Sequence, residues 1–125
     1  MTDNELTRKV IGLAIEVHKG LGPGLLESVC KECLYFKIKQ AGMKVEKEKS
    51  FPIVFEGLKL ECGYKVDLFI ENKLVIELKS VEAINPIHMA QTLTYLRLGE
   101  VRYGLLINFN VKLLKEGVVR LVNGY

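Results

Sequence analysis

The sequence predicts an α/β domain, a mixed sheet flanked by helices, and three observations carry that expectation. Helical periodicity opens the chain twice, three or four strand-like runs follow, and a further helix separates these from two more strands. The run Tyr103-Gly104-Leu105-Leu106-Ile107-Asn108-Phe109 is nearly all apolar, as a central strand covered on both faces would be. A length of 125 residues, 49% of them hydrophobic and 26% charged, suits one core and a single domain over residues 1–125.

From Asn4 to Lys19, Leu6, Val10, Leu13, Ala14 and Val17 recur at helical spacing, giving one apolar stripe with Asp3 or Asn4 as N-cap. Gly20-Leu21-Gly22-Pro23-Gly24 breaks this helix, and Pro23 suits the first turn of a second one. Leu25, Leu26, Val29, Cys33, Leu34, Phe36 and Ile38 carry the second helix to a stop near Gly42. Strand character follows. Val45 to Lys49 alternates weakly, Phe51-Pro52-Ile53-Val54-Phe55 runs into the turn signal Glu56-Gly57, Leu58 to Leu60 resumes the pattern, and Tyr64 to Ile70 continues it. Glu71-Asn72-Lys73 is a tight connection into Leu74-Val75-Ile76-Glu77-Leu78-Lys79, which predicts an antiparallel hairpin. Asn85-Pro86 starts a third helix running to Leu98, with Ile87, Ala90 and Leu93, then Leu96 or Leu98, expected to face inward. Gly117 to Val122 makes a last short strand.

The formal net charge of +3 is too small to define a nucleic-acid partner by itself, and neither half of the chain concentrates it. The composition excludes a disordered, collagen-like or disulfide-scaffold protein. No apolar run is long enough to span a bilayer, so no membrane partner is expected. The start, Met1-Thr2-Asp3-Asn4-Glu5, is acidic and leads into an amphipathic helix, unlike a signal peptide. With Cys30, Cys33 and Cys62 read as reduced thiols, a cytoplasmic protein is expected. Cys30-x-x-Cys33 has metal-ligand spacing but no second pair, and on a helix two small buried or half-buried side chains account for it as well. The Gly20–Gly24 elbow follows no strand and precedes no Gly-Lys-Ser/Thr, which excludes a Walker-type loop. Ser28, Ser50 and Ser80 lack a nucleophile-elbow setting.

The chemistry concentrates at Asp67 and, ten residues on, Glu77-Leu78-Lys79. On a strand, Glu77 and Lys79 project to one face, while Val66, Leu68, Ile76 and Leu78 are expected on the other, in the core. Asp67 and Glu77 are equidistant from Asn72, so the hairpin sets them opposite each other. Two facing carboxylates need a positive partner. A hard cation, Mg²⁺ or Mn²⁺, held with the Leu78 carbonyl and waters, fits that need, with Lys79 placed to stabilise charge on a phosphate. A solvated cluster of Asp67, Glu77, Lys65 and Lys79 fits the same pattern. His88, Gln91 and Tyr95 share one polar face of the third helix. Glu27 reads by itself as a first-turn glutamate favoured by the helix dipole.

Asp67…Glu77-Leu78-Lys79 resembles the Asp…Glu-x-Lys signature of the PD-(D/E)XK nuclease superfamily, and Gln91-Thr92-Leu93-Thr94-Tyr95 the Gln-x-x-x-Tyr motif of its RecB-like branch. More narrowly, the chain is similar to the small GxxExxY proteins from the elbow to Ile107-Asn108-Phe109, including Gly24-Leu25-Leu26-Glu27 and Pro86-Ile87-His88-Met89-Ala90-Gln91. The resemblance implies a restriction-endonuclease-like αβββαβ core. It implies Glu27, Asp67 and Glu77 as the acidic metal positions, Lys79 as catalytic lysine, and Gln91 and Tyr95 as supporting catalytic residues. Of the family motif, the final Tyr falls at Cys30, which lacks the ring and the phenol.

The expected activity is therefore Mg²⁺- or Mn²⁺-dependent hydrolysis of nucleic acid, DNA in the first instance. Asp67, Glu77, Glu27 and the Leu78 carbonyl would hold the metal, Lys79 would assist, and His88, Gln91 and Tyr95 would face the substrate. Lys31, Lys37, Lys39, Lys44, Lys47 and Lys49 either contact the phosphate backbone or form a solvated face diluted by Glu46 and Glu48. The alternative is a catalytically inactive binding or regulatory module on the same fold. A body this small also suggests a homodimer or a protein partner, with the third helix and the strand Leu105 to Phe109 as candidate interface.

Overall fold

The computed structural model describes residues 1–124, the side chain of Cys62 excepted, so the Cys62 thiol lies outside the described residues. The elements are α1 (Asp3–Leu21), α2 (Glu27–Gln40), β1 (Val45–Phe55), β2 (Leu58–Ile70), β3 (Leu74–Lys79), α3 (Pro86–Leu98), β4 (Tyr103–Asn108) and β5 (Val118–Val122), with a 3-10 turn over Leu114–Gly117. They build one five-stranded sheet in the order β1-β2-β3-β4-β5. Only β3 and β4 run parallel, with α3 as their crossover, and the other neighbours are antiparallel. The stretch from α2 to β4 is the expected αβββαβ core.

Turn chemistry sets the hairpins. Glu56 and Gly57, both at positive φ, join β1 to β2 in a two-residue turn of the kind that matches strand twist. Glu71 and Asn72, also at positive φ, join β2 to β3, and the Lys73 N–H closes the turn on the Ile70 carbonyl at 3.0 Å. Two apolar layers cover the sheet. Leu68, Ile70, Leu74, Ile76, Leu78, Leu105 and Ile107 pack against α1 and α2. Phe69 and Val75 pack against Leu96 and Val101 on the α3 side. The helix packs close over Gly104, where an added Cβ would sit 3.0 Å from a Leu96 methyl.

Several expectations change. The cap of α1 is Thr2, in a capping box with Glu5, one residue before the expected start. Pro23 lies outside α2, which begins only at Glu27. Gly22 and Gly24 both take positive φ, so the elbow is a longer, non-helical connection. Val29 and Phe36 are exposed, while α2 buries the expected Leu34 and Ile38 together with Cys30. The α3 stripe holds at Leu93 and Leu96 but not at its start: Ile87 is 72% exposed, Ala90 is exposed, and Thr92 is buried with Leu96. Thr92 can take a core position because its hydroxyl donates to the His88 carbonyl at 3.0 Å. Val66 belongs to the α3-side cluster rather than with Leu68. The alternation breaks beside Glu48, whose φ of 53° lies between the pairs Lys47↔Leu68 and Lys49↔Val66. Leu105 to Phe109 is buried throughout, so it forms the core and not an interface.

Candidate active site

The ladder between β2 and β3 runs through Ile70↔Leu74, Phe69↔Val75 and Leu68↔Ile76, then stops. Its next facing pair is Asp67 and Glu77, as the hairpin register predicted. Here side chains take over from the backbone. The Asp67 N–H donates to Glu77 Oε1 at 3.0 Å, and the Leu78 N–H donates to Asp67 Oδ2 at 2.8 Å. Beyond this point β3 continues beside β4 as far as Lys79↔Asn108, while β2 continues beside β1. The two middle strands therefore diverge, and the carboxylates satisfy the N–H groups that the opening would leave without partners. Glu77 Oε2 and Asp67 Oδ1 are the oxygens not committed to these backbone bonds.

Glu77 is 8% exposed. Burial first, and the Asp67 carboxylate second, push its carboxyl up to about 8. The nearby cations, Lys79 and Lys31, pull the other way. Lys31 reaches in from α2, with Nζ 3.6 Å from Asp67 Oδ1 and 3.8 Å from Glu48 Oε1. Lys79 is half-buried at the end of β3 and makes no ion pair among the described residues.

A polar network ties the end of β3 to the elbow. Glu27 Oε1 accepts the Ser80 N–H at 3.1 Å, and Ser80 Oγ donates to the Leu25 carbonyl at 2.6 Å. Asn108, 1% exposed, accepts from the Val81 and Asn110 N–H groups and donates to the Val81 carbonyl at 2.9 Å. Asn110 Oδ1 in turn accepts the Gly24 N–H at 3.1 Å. An open depression of about 610 Å³ lies over this network, lined by Gly24, Leu25, Leu26, Glu27, Ser28, Ser80 and Asn110.

On α3, Gln91 Nε2 donates to the Tyr95 hydroxyl at 2.8 Å. The Tyr95 ring stacks on Tyr64 of β2 with centroids 4.5 Å apart, and the Tyr64 hydroxyl donates to the Tyr95 carbonyl at 2.6 Å. Burial raises both phenols, Tyr64 to about 12, with the Tyr95 phenol and the Glu77 carboxylate adding to the effect at Tyr64 and Glu77 at Tyr95. Asn85 caps α3, and His88 Nδ1 accepts the Asn85 N–H at 3.1 Å, so that imidazole nitrogen is engaged in the helix cap.

Asp67 and Glu77 thus meet, with the Leu78 N–H joined to them, and Lys79 follows on the same strand. Tyr95 lies on the same side of the sheet as Glu77, held by Gln91. Glu27 is brought to the edge of the site but onto Ser80, and among the described residues no three His, Cys, Asp or Glu side chains converge as a metal-holding group. Two carboxylates with a nearby carbonyl still suit a magnesium-like cation, which keeps several of its waters and takes further ligands from a phosphate. The facing placement of the two carboxylates, each committing one oxygen to a backbone N–H and leaving the other free of these bonds, is the observation that favours this fit. Among the described residues, Cys30 and Cys33 are free thiols that join no metal-holding group, and burial raises the Cys30 thiol.

Sequence reasoning missed Tyr64, Asn108 and the inward reach of Lys31. An Asn ending an apolar run was a signal for Asn108. Nothing local marks Tyr64. Of the other lysines, Lys37 pairs with Glu16, Lys47 with Glu32 and Lys49 with Glu46, and Lys44 donates to Asn72. Lys39 lies over the Tyr35 ring. Lys37, Lys47 and Lys49 are thus ion-paired, and Lys39 and Lys44 are exposed.

A mixed sheet whose middle strands part at an Asp facing a Glu-x-Lys strand, followed by a crossover helix, has the architecture of a PD-(D/E)XK nuclease core. The family profile of the PD-(D/E)XK nuclease superfamily matches residues 4–121, nearly the whole chain, and the chain belongs to that superfamily. No curated protein and no solved structure matches it. Superfamily membership implies a nucleic-acid substrate and, in general, divalent metal use. No helix among the described residues is long and apolar enough to cross a membrane.

Proposed function

We propose that this chain is a Mg²⁺- or Mn²⁺-dependent nuclease acting on DNA, of the small GxxExxY type and with a RecB-like helix motif. The observation that carries the reading is the opened ladder at Asp67 and Glu77. Two carboxylates are set face to face, one of them buried and held up to about 8, beside a lysine that makes no ion pair among the described residues. A bound divalent cation supplies Lewis-acid stabilisation of a phosphate oxygen and a more acidic water. Asp67 Oδ1, Glu77 Oε2 and the Leu78 carbonyl are the groups to hold it, and Glu27, kept at the rim by Ser80, adds negative charge and a further oxygen. Lys79 orients the attacking water and stabilises charge developing on the phosphate. Tyr95, positioned by Gln91 and by the stack on Tyr64, walls the site on the α3 side. Gln91 and His88 Nε2 offer polar groups to the substrate. DNA is preferred on the Gln91…Tyr95 resemblance. A second copy or a protein partner would add recognition surface to this core.

Two observations favour a second reading, a catalytically inactive binding or regulatory module. Glu27 is spent on Ser80, and Lys31 stands against Asp67 where a cation would need room. The experiment is cleavage of single- and double-stranded DNA and RNA oligonucleotides with Mg²⁺ or Mn²⁺, comparing wild type with Glu77→Ala and Lys79→Ala. Cleavage by wild type alone supports the nuclease. Equal cleavage by all three preparations means a contaminant, and none by any supports the module.

A further inference from the structure

Lysines are rarely buried, and those around α2 and β1 mostly pair with glutamates at the surface. Lys31 differs. Its side chain is 17% exposed, and it spans two carboxylates on two strands, Asp67 at 3.6 Å and Glu48 at 3.8 Å. It lies one helical turn beyond Glu27, so α2 presents both residues toward the end of β3. The oxygen it approaches is Asp67 Oδ1, the one that the Leu78 N–H does not use. An ammonium at that oxygen and a divalent cation on the same carboxylate would repel each other at short range.

Glu48 offers the ammonium another place. It is more than half exposed at its side chain and takes a φ of 53° in mid-strand. A non-glycine residue keeps such a backbone only where its surroundings enforce it, and such residues cluster at functional sites. We propose that Lys31 is the built-in counter-ion of the Asp67–Glu77 pair: it rests on Asp67 when no cation is bound and passes to Glu48 when a divalent cation takes Asp67 Oδ1. The inference rests on the metal-dependent reading of the site, and it makes Lys31 a positioning residue that sets cation affinity.

The test is calorimetric titration of the full chain with Mn²⁺ alone, for wild type, Lys31→Met, Glu48→Gln and the double variant. Lys31→Met should bind Mn²⁺ about tenfold more tightly than wild type, because removing a competing charge relieves a short-range repulsion. Glu48→Gln should weaken binding in the wild-type background and have little effect once Lys31 is gone. A lysine with a merely structural role would, on removal, loosen the site and weaken binding. Unchanged or weaker Mn²⁺ binding by Lys31→Met overturns the proposal, and an equal effect of Glu48→Gln in both backgrounds overturns the transfer to Glu48. Lys31→Gln carries the same expectation should the Met variant not fold. The two readings fail separately: cleavage that depends on Glu77 and Lys79 with no affinity gain refutes the counter-ion alone, and an affinity gain without cleavage refutes the nuclease alone.

Discussion

Glu77 makes the cation-free protein lose stability as pH rises through the neutral range, against the trend for paired carboxylates. Its carboxyl, ordinarily near 4.5, stands at about 8 in the folded chain, from burial first and the facing Asp67 second. Between these values the folded protein keeps a proton that the unfolded chain has released. Each rise of one pH unit in that window therefore favours unfolding by about 1.4 kcal/mol. Carried across the window, the loss is on the order of 5 kcal/mol by pH 8, comparable with the whole stability of many small domains. Above pH 8 both states are ionised and the loss is complete; below 4.5 both are protonated and it is absent. Urea unfolding at constant ionic strength with a chelator, from pH 5 to 9, should show a midpoint that falls as pH rises. Glu77→Gln, which keeps the shape and the acceptor for the Asp67 N–H, should flatten the profile and be the more stable protein at pH 8. Mn²⁺ at pH 8 should stabilise wild type and leave Glu77→Gln unchanged. A wild-type profile that is flat or rises from pH 5 to 8, or an equal slope in Glu77→Gln, would refute the reasoning.

Further outcomes follow from the surroundings of the site. Asn108→Ala removes an acceptor for two N–H groups and a donor to the Val81 carbonyl in a buried place, and should cost about 2–4 kcal/mol by thermal or urea unfolding. Tyr64→Phe deletes only the hydroxyl that bonds the Tyr95 carbonyl and should cost about 1 kcal/mol, whereas Tyr64→Ala also removes the stack and should broaden the Tyr95 ring signals in NMR spectra. Cys30→Tyr puts the residue of the family motif into a core packed with Leu34 and Ile38, and should lower stability by about 1–3 kcal/mol while leaving Mn²⁺ affinity unchanged.

The parts of this protein legible in its sequence are those fixed by short-range rules. The symmetry of Asp67 and Glu77 about Asn72 placed the two carboxylates opposite each other, because a tight hairpin leaves the register no freedom. Asn85-Pro86 fixed the start of α3. Its inward face was placed correctly at Leu93 and Leu96 but not at Ile87 and Ala90, and Thr92 was missed because it reads as polar while its hydroxyl is satisfied within the helix. The extent of the elbow was missed because Pro23 suits a helix start, whereas the bond from the Gly24 N–H to Asn110 holds the chain out of helix as far as Leu26. Tyr64 and Lys31 were out of reach for a different reason. Each acts through a partner at least thirty residues away, Tyr95 and Asp67 respectively, and no local pattern records such a contact. The break in alternation beside Glu48, with Val66 in the other layer from Leu68, is equally silent in the sequence.

The central claim, that Asp67, Glu77 and Lys79 form a hydrolytic centre, is tested most directly by one time course. Identically purified wild type, Glu77→Gln and Lys79→Met are incubated with plasmid and end-labelled DNA in Mn²⁺, and wild type also in chelator. The account predicts cleavage by wild type in Mn²⁺ alone, with each variant slowed at least about a hundredfold, as expected when a group stabilising transition-state charge is removed. Cleavage that persists in chelator, or proceeds at the wild-type rate in both variants, would contradict it.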